Sequence, residues 1–224
     1  MKTYAWLFVT IFTGCSTAPV DPLDSSAYTR FSAKVSVDVG ERHDVYEYYR
    51  DGSKLRFVPT EGGFVAPEGP GRVAIIIDTD AKTAMAISYD RKQFSSIPFA
   101  KASAGLEGQV AWKHETQRAA RPEAQHEAPA EIVSRDDLGE EMAADHSCRV
   151  QRVVTKIHDG ETQSTEVWNA DDLRGFPVKM HTTRAGRSIT TTFTDVKLDA
   201  GVEPSMFTIP VGFTDANASH RSAQ

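Results

Sequence analysis

The chain alternates apolar and polar side chains over most of its first hundred residues. From Arg30, "RFSAKVSVDV" sets Phe31, Ala33, Val35, Val37 and Val39 on one side and Ser32, Lys34, Ser36 and Asp38 on the other. A period of two is the mark of a strand with one buried face. In "VYEYYRDGSKLRFV", Asp51-Gly52 separates two β-rich runs and suits a tight hairpin turn. Leu55 and Phe57 are then expected to face inward, with Lys54 and Arg56 in water. Pro59 to Gly71 predicts a loop. "RVAIIIDTDAKTAMAIS" predicts strand, turn, strand, and Val73 to Ile77 is apolar on both parities, so this strand is expected to be covered on both faces. "YDRKQ" then turns into "FSSIP".

Residues 100–130 break the pattern with nine alanines. Glu107 to Arg121 has helical potential, but Pro122 and Pro129 bar its continuation. With Leu106, Val110 and Trp112 as its sizeable apolar groups, the stretch predicts a loosely docked helical lid or a disordered insertion. Strands resume with "SCRVQRVVTKI" and "TQSTEVWNA", separated by "HDGE". "DDLRG" predicts a short bend into "FPVKMHTT", where Phe176, Val178 and Met180 alternate with Pro177, Lys179 and His181. After "RAGR" comes "SITTTFTDVKL", whose apolar parity changes between Phe193 and Val196 and so predicts a bulge. Short strands joined by hairpin turns make the chain mainly β, an antiparallel sandwich or barrel. Strong helices do not alternate with the strands, which argues against a doubly wound α/β fold.

The N-terminus adds an address. Thr3 to Thr13 carries no charge, yet its roughly eleven residues fall short of the about 20 that span hydrocarbon. This fits the apolar part of a secretory signal. "FTGC" resembles the lipobox of bacterial lipoproteins, with Phe12 where Leu is usual. The resemblance implies cleavage before Cys15, a signal peptide over 1–14 and a diacylglycerol on the Cys15 sulfur; an ordinary signal with a coincidental cysteine is the alternative. Two acyl chains suffice for stable anchoring. Residues 15–27, rich in Ser, Pro, Ala and Asp, read as a tether, 28–213 as one domain, and 214–224 as a flexible tail. Ser16 in place of Asp resembles a sorting signal for the outer membrane, facing the periplasm. With Cys15 lipidated, Cys148 has no disulfide partner, so the body depends on its core. Removing Lys2 with the signal leaves 24 basic against 31 acidic side chains, and a net charge of −7 argues against a nucleic-acid partner.

The order of elements is familiar. "IIIDTDAKTAMAISYDRKQFSSIPF" resembles a strand pair of the LolA-like superfamily of periplasmic lipoprotein carriers and relatives. "LGEEMAADHSCRVQRVV" and "STEVWNADDLRGFPVKM" resemble the DUF4412 family within it, matching at Trp168, Leu173, Gly175, Phe176, Pro177 and Lys179. Asp145-His146-Ser147-Cys148 lacks that family's usual Gly. "FTDVKLDAGVEPSMFTIPVGF" resembles the shared C-terminal ending. The resemblance implies a strongly curved, incomplete antiparallel barrel whose concave face holds acyl chains in carrier members.

Catalytic signals are few. His114-Glu115 and His126-Glu127 lack the second His of a zinc-protease helix. Neither a Gly-x-Ser-x-Gly elbow nor a phosphate loop occurs, and the seven histidines lack ligand spacing. No catalytic residue, metal or cofactor is therefore expected. His146 and Cys148 share a strand face, which permits an activated thiol, although a Cys leading an apolar strand is more often a small core residue. Phe31, Val35, Val37, Leu55 and Phe57 form inward stripes that either line a ligand cavity or close on one another. Trp168 is a ligand contact or ordinary core. Two function classes follow: a lipid-anchored envelope protein that binds a hydrophobic ligand, or a structural or interaction lipoprotein with a filled core that binds an envelope partner.

Overall fold

The computed structural model describes residues 28–61, 73–99, 131–156, 161–184 and 186–218. Cys15, residues 100–130 with His114 and His126, and most of the "HDGE" turn lie outside them. The strands are β1 (Arg30–Val39), β2 (Arg42–Asp51), β3 (Lys54–Glu61), β4 (Val73–Asp78), β5 (Thr83–Ser88), β6 (Gln93–Ile97), β7 (Glu131–Ala143), β8 (His146–Lys156), β9 (Thr162–Ala170), β10 (Phe176–Arg184), β11 (Arg187–Leu198) and β12 (Thr214–Asp215). They form a single sheet in the order β12-β6-β5-β4-β3-β2-β1-β11-β10-β9-β8-β7. Every pair is antiparallel except β12 on β6. Two meanders, β1 to β6 and β7 to β11, are thus sewn together by the β1–β11 ladder. The edges β12 and β7 do not pair with each other, so the barrel is incomplete.

The sheet is strongly curved. Phe31 on β1 and Phe176 on β10 are separated by β11, yet their ring centroids lie 5.1 Å apart. Strand axes two places apart stand roughly 9.5 Å from one another, so these rings lean together over a concave face. A bulge helps. The β1–β11 register passes from Ser32↔Lys197 to Lys34↔Thr194, and Asp195 takes a φ of 53°. This is the parity change expected between Phe193 and Val196. "DDLRG" becomes a 3₁₀ turn over Asp171–Leu173, closed by Arg174 at φ 58° and Gly175 at φ 79°.

Apolar side chains collect on both faces of the first meander. The inner cluster runs from Phe31, Val35 and Val37 through Leu55, Phe57 and Ile77 to Val150, Val167, Phe176 and Phe193. The outer cluster holds Val58, Ala74, Ile76, Ile87 and Phe207. β4 contributes Ile77 to one and Ala74 and Ile76 to the other, which is the two-sided covering its sequence predicts. The outer cluster is covered by the segment after β11: a 3₁₀ turn over Pro204–Phe207 brings in Met206 and Phe207. Phe213 then meets Tyr89 edge to face at 5.8 Å. Thr214 donates its N–H to Lys92 O at 3.0 Å, leading the chain into β12.

Four details depart from the expected pattern, the first being that β3 runs on through Pro59 to Glu61, into the stretch expected as a loop. Arg56 does not point to water: it is buried against the C-terminal segment, donating to the Met206 carbonyl and the Tyr89 hydroxyl. Val39, at the end of its stripe, is 37% exposed because the sheet's inner layer stops short of it. β7 carries no clean alternation and is not predicted, yet it spans 13 residues at the sheet edge.

Candidate functional site

β1 delivers Phe31, Val35 and Val37 to the inner face at 0–1% exposure. The Asp51-Gly52 turn, with Gly52 at φ 59°, sets the register that brings Tyr48 opposite Phe57. Their rings lie 4.6 Å apart, and Tyr48 also meets Phe31 at 5.1 Å. Across the β1–β11 ladder Val35 faces Phe193 and Val37 faces Thr191. Phe176 completes the layer, edge to face with Phe31 (5.1 Å), Phe193 (5.5 Å) and Tyr28 (5.1 Å). Edge-to-face contacts of this kind contribute about 0.5–1.5 kcal/mol beyond the area they bury. Phe31, Val35, Val37, Leu55 and Phe57 therefore share one continuous apolar surface with Tyr28, Tyr48, Phe176 and Phe193.

Trp168 belongs to the same cluster but is bound at its polar edge. Its Nε1–H donates to Glu141 of β7 at 2.9 Å, and the Lys179 ammonium lies 4.5 Å from the ring centroid. The indole therefore ties β9 and β10 to the edge strand β7.

The inner layer has a polar end that the alternation did not single out. Asp44 sits opposite Val37, and Tyr46 opposite Val35. The Asp44 carboxylate is buried and held by Arg42 at 2.6 Å, whose own side chain is half exposed. Tyr46 Oη is buried without a hydrogen-bond partner. Burial, then the nearby Asp44 charge, push the Tyr46 pKa up to about 12. The signal for these residues lies in β2, where Asp44 is in phase with Tyr46 and Tyr48.

Cys148 and His146 do not form a nucleophilic pair. Cys148 is fully buried, its Sγ 3.4 Å from the His146 carbonyl oxygen, and burial pushes the thiol pKa up. The His146 ring turns to the Asp172 carboxylate at 2.8–2.9 Å. This is a core cysteine beside a hydrogen-bonded His–Asp contact near the surface. Among the described residues no group of three or more His, Cys, Asp or Glu could hold a metal ion, and no helix is long and apolar enough to cross a membrane.

No protein-family model matches the chain, and no curated protein matches it in sequence. Among solved structures, MucB is similar over 85% of this chain and 61% of its own, with 13% identity and a TM-score of 0.52. The fold is LolA-like. The Mycobacterium tuberculosis lipoprotein LppX matches 79% of this chain and 89% of its own, at 12% identity and a TM-score of 0.45. A LolA superfamily protein from Nitrosomonas europaea matches 81% of this chain and 90% of its own, at 13% identity and a TM-score of 0.42. In complex with MucA, MucB covers 81% of this chain at 16% identity and a TM-score of 0.45, and this chain spans 54% of MucB's length. At such identities the likeness is one of fold.

The LolA-like sheet also carries a cleft of about 350 Å³ on its outer face, at the β11 bulge. Lys34 and Lys197 line it beside Glu47, Glu61 and Asp195. Such a mixed-charge lining does not suit an acyl chain.

Proposed function

We propose that this protein is a lipid-anchored protein of the cell envelope, bound through Cys15 to the outer membrane on its periplasmic side. It holds a hydrophobic ligand, an acyl chain or a lipid-modified partner, against the inner face of its LolA-like half-barrel. One observation carries the reading: a continuous apolar layer, from Phe57 through Phe31 to Phe176, lines the concave side of a sheet that does not close. A sheet with unjoined edges can widen without breaking a ladder, which a closed barrel cannot do. Phe31, Val35, Val37, Leu55 and Phe57 are the contacts for the ligand, and Trp168 stands at the far end of the same layer. The buried Cys148 thiol and the His146–Asp172 pair support a binding role over an enzymatic one.

A second reading has its own observation. The same inner residues are only 0–8% exposed, as expected of a filled interior. The protein would then act by its surface on another envelope protein; MucB, similar in fold, has been solved in complex with MucA. The mature form purified without detergent separates the two. Native mass spectrometry showing co-purified lipid supports the first reading, and a ligand-free mass supports the second. Cys15→Ser is expected to shift the product from the membrane fraction to the soluble one or to leave it unprocessed; a mutant still cut before position 15 and still membrane-bound would sink the anchor.

A further inference from the structure

The outer face of a strongly curved sheet is convex, so a hollow in it needs a cause. The cleft of about 350 Å³ on this face has two bulges at its borders. On β11 the register passes from Lys197 to Thr194 against Ser32 and Lys34, and the bulge turns out Asp195 at φ 53°. Three places along the sheet, β3 carries a second bulge. Val45 pairs there with Glu61 and Tyr46 with Pro59, so Thr60 is the extra residue. Its hydroxyl donates to the Val45 carbonyl at 3.2 Å. Bulges re-aim side chains and are over-represented beside functional sites. Asp195 and Thr60, the residues displaced here, both line the cleft.

The charges of the lining are sorted by strand. Lys197 on β11 and Lys34 on β1 set two ammonium groups against the Asp195 carboxylate, whereas the charges from β2 and β3 are the acids Glu47 and Glu61. Among the described residues none of these side chains forms an ion pair with another. Lys34 stands opposite Glu47 in the ladder, yet Glu47 accepts the Tyr49 hydroxyl at 3.1 Å instead. Opposite charges kept apart around a hollow give it a dipolar lining. Such a lining suits a ligand with a negative end over β11 and β1 and a positive end over β2 and β3. The centres of these halves lie two strand spacings apart, about 9.5 Å. A single amino acid is too short to bridge that gap, while three extended residues reach about 10 Å. The volume is near the lower end of ligand pockets, about 300–1,000 Å³, which calls for small side chains.

We propose that this outer cleft binds a short zwitterionic peptide of about three small residues, its carboxylate at Lys34 and Lys197 and its ammonium at Glu47 and Glu61. Ser32 and Tyr49, opposite each other in the β1–β2 ladder, lie under its middle. The four charged groups are exposed, so the binding is weak and falls as salt rises. This site is separate from the inner face and stands whether that face is a ligand surface or a core.

The test is an NMR titration of the isotope-labelled mature chain with trialanine, N-acetyl-trialanine, trialanine amide and phosphoethanolamine. Trialanine is expected to shift the amides around Lys34, Glu47, Glu61 and Lys197. Each blocked peptide is expected to bind about fivefold more weakly, the upper end for one exposed charge pair. Phosphoethanolamine, whose charges lie closer together, is expected to bind more weakly still. The variants K34Q/K197Q and E47Q/E61Q separate the two ends. The first loses affinity for trialanine but not for trialanine amide, and the second loses affinity for trialanine but not for N-acetyl-trialanine. Shifts absent at millimolar trialanine, shifts confined to other parts of the chain, or equal affinity for free and blocked peptides overturn the proposal. Tighter binding of phosphoethanolamine than of trialanine also overturns it, and would assign the cleft to a lipid headgroup.

Discussion

Tyr46 shows how a single side chain can be apolar in its packing and unfinished in its polarity. Its ring lies in the inner layer, while its hydroxyl is buried without a partner beside Asp44 and Arg42. A buried hydroxyl with no partner costs about 1–3 kcal/mol of desolvation. Tyr46→Phe is therefore expected to leave stability unchanged or raise it at pH 8, as read by urea unfolding. The pH dependence has a definite sign. An acid whose folded-state pKa rises from 10.0 to about 12 keeps its proton in the folded state after the unfolded chain has lost it. Tyr46 thus destabilises the fold progressively as pH climbs from 10 toward 12, and Tyr46→Phe should lose less stability over that window than the wild type. Equal losses would mean that the phenol ionises as freely folded as unfolded. The stripe Phe31, Val35, Val37 was legible because strict alternation survives in the sequence. Asp44 and Tyr46 were not, because a carboxylate in phase with apolar neighbours reads as a surface position until Arg42 is seen to neutralise it.

Among the elements, the β11 bulge and the two-faced β4 were readable for the same reason: each leaves a mark in the parity of apolar residues. β7 leaves none. A strand exposed on both faces at a sheet edge has no inside to contrast with its outside, so Ile132 and Val133 fall next to each other and the acids crowd the rest. Arg56 misled for the opposite reason. On β3 its parity faces outward, and only the chain returning more than a hundred residues later covers that face. This makes Arg56 the joint between β3 and the C-terminal segment, donating to the Met206 carbonyl and to Tyr89 Oη. Arg56→Met keeps much of the apolar stem but removes both donations and leaves the Met206 carbonyl without its Arg56 donor. The expected cost is about 2 kcal/mol, seen as a lower urea midpoint with an unchanged m-value, together with faster proteolysis after residue 200. A midpoint equal to the wild type's would show that the segment docks through Phe207 and Phe213 alone.

For the whole molecule, the joining of two meanders through β1 and β11 is the feature least accessible from the sequence, because strands some 160 residues apart share no local signal. It is also what bends the sheet around Phe31, Phe176 and Phe193 and so creates an inner face. Whether that face is a binding surface or a finished core decides between the two readings of function, and stability reports on it directly. A ligand that binds only the folded state raises stability with its concentration. At about 100 times its Kd a lysophospholipid or fatty acid adds about 2.7 kcal/mol, which for a domain of this size raises the melting temperature by about 8 °C. Val37→Glu sharpens the comparison. Val37 is fully buried opposite Asp44, so the new carboxylate meets a like charge that Arg42 already neutralises. In a closed core that change unfolds the domain. On a face that opens to receive a ligand, water reaches the new carboxylate; the variant then stays folded and loses the lipid-induced rise. A wild type whose melting temperature ignores micromolar lipid, paired with a Val37→Glu chain that cannot fold, would leave the inner face as core and move the search for function to the protein's surface.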